Sequence, residues 1–475
     1  MSFYQLLLYL KRTKPEHIAY SFYKNGNKEE ITVEQWVQDV FAFAKYALDR
    51  DMQGAHVAIS CKNRYEWYVI AFGLIISGNV VVSINPDISE QDLIYQLETA
   101  EVKEVFYEEE GDLGLKLRGK TFELHKIEDI WLNLREKDMV NVDIRDYAED
   151  ISKLSLILFS SGTSGKPKGV MLSQKNMLAV CDDLQSVFGG GKMLLVLPLY
   201  HVGGIYFSLC FLRFFTTICI CESPKYLIQD VQRFHPSVMP MVPAQLEFLV
   251  KKSKKNNRLL TEIKDHLMYV ICVGATLENE YKTEFSEWNI KILNLYGLTE
   301  TAGSLTAWFP HKEGSIGQFA VKNHMKLAEG ELLVRGDSIM LGYYNNPEEN
   351  AAVFEEGWMH TGDLVRIDEE GYLFLTGRKK NIIILSNGEN ISPEELESKI
   401  LKIPYIQEVI VRGNNDVLEA VIFSGEYTEE TYKDKIEESI KELNYTLPHF
   451  QQIKKITFRE EAFEKTGSGK IKRNL

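Results

Sequence analysis

Short apolar runs recur along the first part of the chain, separated by polar segments long enough to be helices. HVAISC (56–61), NVVVSINP (79–86), LSLILF (154–159), MLLVLP (193–198), TTICIC (216–221), SVMPMV (237–242), MYVICV (268–273) and IKILNL (290–295) each read as a buried strand. Glu66 to Ile76 has the apolar density of a buried helix. Ser173 is placed to cap another, with Met177, Cys181, Leu184 and Phe188 spaced along one face. The alternation predicts an α/β fold in which mostly parallel sheets are layered with helices, residues 1–150 forming one layer. In such sheets ligands sit in the loops beyond the carboxyl ends of the strands.

Past residue 330 the texture changes to shorter strands, GELLVRG (330–336), GWMHTGDLVRID (357–368) and GYLFLTGR (371–378), which predict a β-rich subdomain. After Lys380 the chain reads strand, glycine turn and a well-signalled helix, with Ser392 as cap, Pro393 in the first turn and Glu395 completing a capping box. VIVRG, EAVIF, a helix from about Thr428 to Leu443 and KKITF complete a small α+β domain. Two domains are therefore expected, 1–379 and 380–475.

A chain of 475 residues is too long for one compact core, which agrees with that division. The net charge of −14 argues against nucleic acid or an anionic membrane as a nonspecific partner. Six cysteines without a CxxC pair suggest reduced core residues rather than a zinc site or disulfides. The largely apolar stretch Met193–Cys221 is long enough to cross a bilayer, but Pro198, His201, Gly203, Gly204 and Arg213 interrupt it, so it reads as buried core and no integral membrane segment is expected. The first residues show no secretory pattern, so a cytoplasmic location is expected.

The strongest chemical signal follows LSLILF. From Ser160 to Gly169 every residue except Pro167 is Ser, Thr, Gly or Lys. Glycines at 162, 165 and 169 let backbone N–H groups close on phosphate oxygens, Ser160, Ser161, Thr163 and Ser164 add hydroxyl donors, and Lys166 and Lys168 add charge. A Walker A loop is absent, because Gly165-Lys166 is followed by Pro167. After IKILNL comes Tyr296-Gly297-Leu298-Thr299-Glu300-Thr301, where an aromatic face, hydroxyls and a carboxylate meet at a strand end. It reads either as a helix cap by Thr299 or as a site for a base, a phosphate and a metal. Gly362-Asp363 reads as a turn with an exposed carboxylate, and the segment ending FEKTGSGKIKR as a frayed basic end.

Taken together, and in this order, these motifs resemble the adenylate-forming superfamily of acyl-CoA synthetases, luciferases and peptide-synthetase adenylation domains. The tail LPHFQQIKKITFREEAFEKTGSGKIK looks most like the long-chain fatty acyl ligases. The resemblance implies an enzyme that uses ATP and Mg2+ to convert a carboxylic acid to acyl-AMP, releasing pyrophosphate, and then passes the acyl group to CoA. A stand-alone enzyme loading an acyl carrier protein is the alternative. By resemblance, Ser160, Ser161, Gly162, Thr163, Ser164, Gly165 and Lys168 hold the pyrophosphate, Thr163 and Glu300 the metal region, Thr299 the phosphate and Tyr296-Gly297 the adenine. Asp363 holds the ribose hydroxyls and Arg378 the ribose and phosphates. His201, in Pro198-Leu199-Tyr200-His201-Val202-Gly203-Gly204, lines the acyl side, where the two glycines leave space. Val242-Pro243 and Val273-Gly274-Ala275 resemble other pocket walls. Lys470 enters for adenylation, and rotation at Lys380 exchanges it for the Leu385–Asn390 loop with Gly388, opening a thiol path. The chain departs from the family's pattern in a short segment between Gly317 and Gly330, expected to be a hairpin, and in Thr276 after the Gly-Ala step.

Overall fold

The computed structural model describes residues 1–475 apart from 110–112, 137–149, 161–165, 182–189, 275–278, 307–311, 321–322, 386–389, 415–416, 465–470 and 474–475, and apart from the side chains of 132–136, 279–280 and 390. It divides into two compact units. One is Met1–His311 with Gly317–His324 and Arg335–Gly357; the other is Lys312–Ile316, Met325–Val334 and Trp358–Leu475.

Among the described residues the first unit holds two seven-stranded sheets. The first runs Lys291–Asn294, Tyr269–Cys272, Val238–Met241, Lys192–Leu195, Thr217–Ile220, Ile18–Lys24, Asn27–Thr32, and is parallel except for its last pair. The second runs Gly342–Tyr343, Lys168–Ser173, Leu154–Ser160, Val80–Ile84, His56–Ser60, Glu104–Tyr107, Glu123–Lys126, and is parallel from Leu154–Ser160 onward. All eight apolar runs are strands. Residues 1–150, expected as one layer, are instead shared between the sheets, because Tyr20 and Ser21 pair with Ile218 and Cys219 of the first.

The helix Tyr65–Ile76 is buried at every position, as its composition requires. Burying each large apolar side chain contributes about 1.5–3 kcal/mol. Its Tyr68 hydroxyl lies 2.7 Å from Ser208 Oγ on the helix Val202–Arg213, and its Trp67 Nε1 donates to Ser83 Oγ of the second sheet (3.3 Å). At the carboxyl ends of the strands the two sheets are joined by Asn63. Its amide donates to the carbonyls of Leu197 (3.0 Å) and Cys221 (3.2 Å) and accepts from the Leu199 N–H (2.9 Å).

The stretch Met193–Cys221 resolves into strand, helix and strand, and no helix among the described residues is long and apolar enough to cross a membrane. All six cysteines are buried and none is in a disulfide.

In the second unit Glu331–Gly336, Trp358–Ile367 and Leu373–Arg378 form an antiparallel sheet, and Asn323–Ala328 precedes them as the expected hairpin partner. Glu408–Asn414, Val417–Phe423 and Ile453–Arg459 form a second sheet, which shares a core with the helices Pro393–Ile400 and Glu430–Tyr445. The helix at Pro393 is where it is predicted, but its capping box does not form. Ser392 Oγ donates to the Thr376 carbonyl (2.6 Å), a tertiary bond that takes the hydroxyl from the helix end.

Candidate functional site

The glycine-rich loop lies between two antiparallel strands, Leu154–Ser160 and Lys168–Ser173, with Ser160 opposite Lys168 and Phe159 opposite Gly169. The expected order of strand, loop, helix thus gains a strand. Val170 and Leu172 are fully buried, and that burial holds the segment in the sheet before the helix Gln174–Ala179 begins. Ser173 caps that helix by accepting from the Asn176 N–H (3.1 Å), and Met177 and Cys181 are buried; Leu184 and Phe188 lie outside the described residues. Ser161, Gly162, Thr163, Ser164 and Gly165 also lie outside them. Lys168 is described: its ammonium is 2.6 Å from Glu349 Oε2 and 5.2 Å from the centre of the Tyr343 ring.

Tyr296 leads into a tight hairpin in which Gly297 pairs with Ser304 and Leu298 with Gly303. A Cβ on Gly297 would lie 1.9 Å from the Gly303 carbonyl oxygen, so no side chain fits there. Thr299–Thr301 form a 3-10 turn, and the hydroxyl that closes it belongs to Thr301, which accepts from the Leu298 N–H (2.9 Å). Thr299 is therefore not the cap. The turn carries Glu300 back to the glycine-loop strand: Glu300 Oε1 accepts from Ser160 Oγ (3.4 Å) and from the Tyr343 hydroxyl (3.0 Å). Tyr296 itself is buried. The oxygen set at Glu300, a carboxylate flanked by two hydroxyls, suits a hard divalent cation.

His201 stands at the start of the helix Val202–Arg213 without capping it. Its ring remains accessible to water while crowded by neighbouring chain, and that partial desolvation lowers its pKa from the usual value, favouring the neutral form. The glycines after it do not open space as expected. A Cβ on Gly204 would lie 2.3 Å from the Pro198 carbonyl oxygen, so this glycine serves a close approach of helix and loop. Gly274 adopts φ +83° with its Cβ position 3.8 Å from Val242, which brings two of the expected pocket walls together; Ala275 lies outside the described residues.

In the second unit Asp363 is not an exposed turn residue. It is buried in the strand Trp358–Ile367, where Gly362 at φ +70° makes an irregularity, and it pairs across the hairpin with Arg378 (Nε to Oδ1, 2.6 Å). Behind it Glu331, also buried, accepts from His360 (3.0 Å), Lys379 (2.8 Å) and the Gly362 N–H (3.1 Å). Burial alone would raise the Glu331 pKa, but these donors hold it below the usual value. Lys470 and Gly388 lie outside the described residues. The residues flanking 465–470 are not frayed: Phe463 is buried, the Lys472 N–H donates to the Glu464 carbonyl (2.8 Å), and Arg473 pairs with Glu397 and Glu394. Sequence reasoning missed Tyr343, Glu349, Glu331 and Asn63, none of which stands in a run that advertises chemistry.

Among the described residues the one group of three potential metal ligands that converges elsewhere is Glu104, Glu123 and His125. There the Arg50 guanidinium already pairs with Glu123, and the group reads as an ion-pair network.

An α/β unit with a glycine-rich loop after a sheet strand, followed by a smaller α+β region, defines the class, and comparison with known families agrees. Residues 10–344 match the AMP-binding enzyme family and residues 380–475 the AMP-binding enzyme C-terminal domain, so the chain belongs to the AMP-binding enzymes. Among individual proteins it is 24% identical to a long-chain-fatty-acid–CoA ligase of Mycobacterium bovis, over 98% of this chain and 93% of that protein. It is 27% identical to a 2-succinylbenzoate–CoA ligase of Listeria monocytogenes, over 98% and 96%. Its fold matches the o-succinylbenzoate CoA synthetase of Bacillus subtilis solved with its acyl-adenylate intermediate, with a TM-score of 0.82, 21% identity and coverage of 98% and 96%.

Proposed function

We propose that the protein is an AMP-forming acid–thiol ligase that activates a carboxylic acid with ATP and transfers the acyl group to CoA. The observation that carries this reading is the meeting of Glu300 with Ser160 at the mouth of the glycine loop, 140 residues apart in sequence, in a chain similar over nearly its whole length to CoA ligases. A carboxylate is a poor electrophile. Attack of its oxygen on the α-phosphorus of ATP expels pyrophosphate and forms a mixed anhydride with AMP; attack of the CoA thiol on the acyl carbon then expels AMP.

In this scheme Ser160 to Gly165 and Lys168 cradle the departing pyrophosphate, and Tyr296 and Gly297 face the adenine. Thr299 donates to phosphate, Asp363 and Arg378 hold the ribose, and neutral His201 lines the acyl side without attracting the substrate carboxylate as a counter-charge. Glu300 and Thr163 would hold Mg2+, which offsets phosphate charge when bound. Lys470 bridges the attacking carboxylate and the α-phosphate as charge builds between them. The 380–475 region turns at Lys380 as a separate domain and brings in the Gly388 loop for the thiol step.

A fatty acid is the first choice of substrate, on the likeness of the 447–472 tail to fatty acyl ligases. The test is mass spectrometry after incubation with ATP, Mg2+ and a panel of fatty and aryl acids including 2-succinylbenzoate, with and without CoA. Acyl-CoA products are expected. Acyl-AMP that accumulates and ignores CoA would point to a carrier protein as acceptor. Lys470→Ala should lower adenylation by about a hundredfold or more while ATP binding persists; unchanged pyrophosphate release would remove Lys470 from the mechanism.

A further inference from the structure

The short segment Gly342–Glu349 carries two contacts to the nucleotide side of the first unit that no sequence motif announces. Tyr343 donates its hydroxyl to Glu300 Oε1 (3.0 Å), and the face of its ring lies 5.2 Å from the Lys168 ammonium. Glu349 pairs with that same ammonium at 2.6 Å. One tyrosine thus touches both the residue assigned to metal and a residue assigned to phosphate, and one carboxylate occupies the lysine.

The segment is held rigidly. Gly342 and Tyr343 pair with Met171 and Val170, extending the sheet beside the glycine loop. Asn350 clamps Tyr343 from both sides, its Oδ1 accepting from the Tyr343 N–H (2.6 Å) and its Nδ2 donating to the Tyr343 carbonyl (2.9 Å). Gly342, at φ +134°, is needed for that clamp, since its Cβ position lies 2.9 Å from Asn350 Oδ1. Tyr344 adds a bond from its N–H to the Gly169 carbonyl (2.8 Å) and from its hydroxyl to Glu101 (2.8 Å). Mere closure of the sheet edge would explain the backbone bonds. It would not explain why the tyrosine hydroxyl is aimed at Glu300, or why an acidic side chain on the helix Pro347–Val353 is aimed at Lys168.

A mostly buried ammonium needs a counter-charge, and the Lys168 side chain is only 9% exposed while Glu349 is 31% exposed. Glu349 is the partner that can be given up to water. We infer that Tyr343 is a positioning residue that keeps Glu300 aimed for a divalent cation, and that Glu349 is an internal stand-in for phosphate, parking Lys168 until a polyphosphate displaces it. The inference rests on the proposed roles of Glu300 and Lys168 in nucleotide binding. It requires opposite effects from two conservative changes on neighbouring residues of one bracket. Removing the Glu349 charge spares the nucleotide a competitor, and removing the Tyr343 hydroxyl loosens the carboxylate that answers the cation.

The experiment is calorimetric titration of the full chain, and of Glu349→Gln and Tyr343→Phe, with ATP at several Mg2+ concentrations, after circular dichroism confirms that both variants are folded. Glu349→Gln should bind ATP about threefold to tenfold more tightly. Tyr343→Phe should lose at least about threefold of the enhancement that Mg2+ gives to ATP binding, with affinity in the absence of Mg2+ little changed. Weaker or equal ATP binding by Glu349→Gln overturns the stand-in, and an unaltered Mg2+ response in Tyr343→Phe overturns the positioning role. Because binding is read directly, a wild-type chain that binds ATP but ligates no acid in the panel leaves these outcomes decisive and counts only against the ligase reading. A wild-type chain that binds no ATP overturns both.

Discussion

Glu66 opens the buried helix Tyr65–Ile76 with a carboxylate almost shut off from water. Burial alone would raise its pKa, yet Arg64 (3.0 Å) and Lys24 (3.0 Å) bring it down to about 2. A folded-state value below the unfolded value of about 4.3 means a stabilisation present above that pH and lost as pH falls toward 2. Glu66→Gln should therefore cost about 2–3 kcal/mol in urea unfolding at pH 7, with the gap to wild type narrowing below about pH 4, roughly halved near pH 3 and closing only toward pH 2. A gap that stays constant down to pH 2.5 would show that packing, and not charge, is what Gln disturbs. The sequence places this glutamate in a buried helix but does not name its partners, because they come from the residue before the helix and from a distant strand.

At the scale of elements, the apolar runs were legible because strand burial is written in composition, and the Tyr296–Thr301 and Ser160–Gly169 segments because unusual chemistry at a strand end stands out. What sequence did not show were competitions. The Ser392 hydroxyl could serve its own helix or the Thr376 carbonyl, and the tertiary contact prevails where Gly377 lets Ser392 approach to 2.1 Å of its Cβ position. Likewise Lys168–Ser173 could have run straight into its helix, but burial of Val170 and Leu172 keeps it a strand. Gly204 belongs to the same class of hidden constraint, a close approach that only packing reveals. Gly204→Ala must shift the start of the helix Val202–Arg213 away from Pro198, at a cost of about 1–3 kcal/mol. Its kinetic effect should be a severalfold rise in KM for the acid with KM for ATP nearly unchanged. Equal changes in both would detach this helix from the acyl side.

At the scale of the first unit, Asn63 ties the carboxyl ends of the two sheets, with the Ser83 hydroxyl adding a bond to the Leu199 carbonyl (3.3 Å). Asn63 satisfies three backbone groups at the strand ends, and its loss would leave the carbonyls of Leu197 and Cys221 and the N–H of Leu199 without it. Asn63→Ala should destabilise the protein by about 2–4 kcal/mol in denaturant unfolding; a change within about 0.5 kcal/mol would mean that water replaces the amide without loss. The change to shorter strands past residue 330 could be anticipated from the strand pattern. The sharing of residues 1–150 between two sheets could not, because strand partners are set by contacts across some two hundred residues, as between Tyr20 and Ile218.

The anchored residues around 465–470 carry a mechanical consequence. Ile471 packs against Ile410, Val421 and Phe463, while Lys472 and Arg473 are bonded to Glu464 and to the helix Pro393–Ile400. The residues on either side of 465–470 are thus moored to the small sheet and to the helix packed on it. Phe463 and Arg473 therefore ride as fixed points on one folded body, and any displacement of that sheet carries both together.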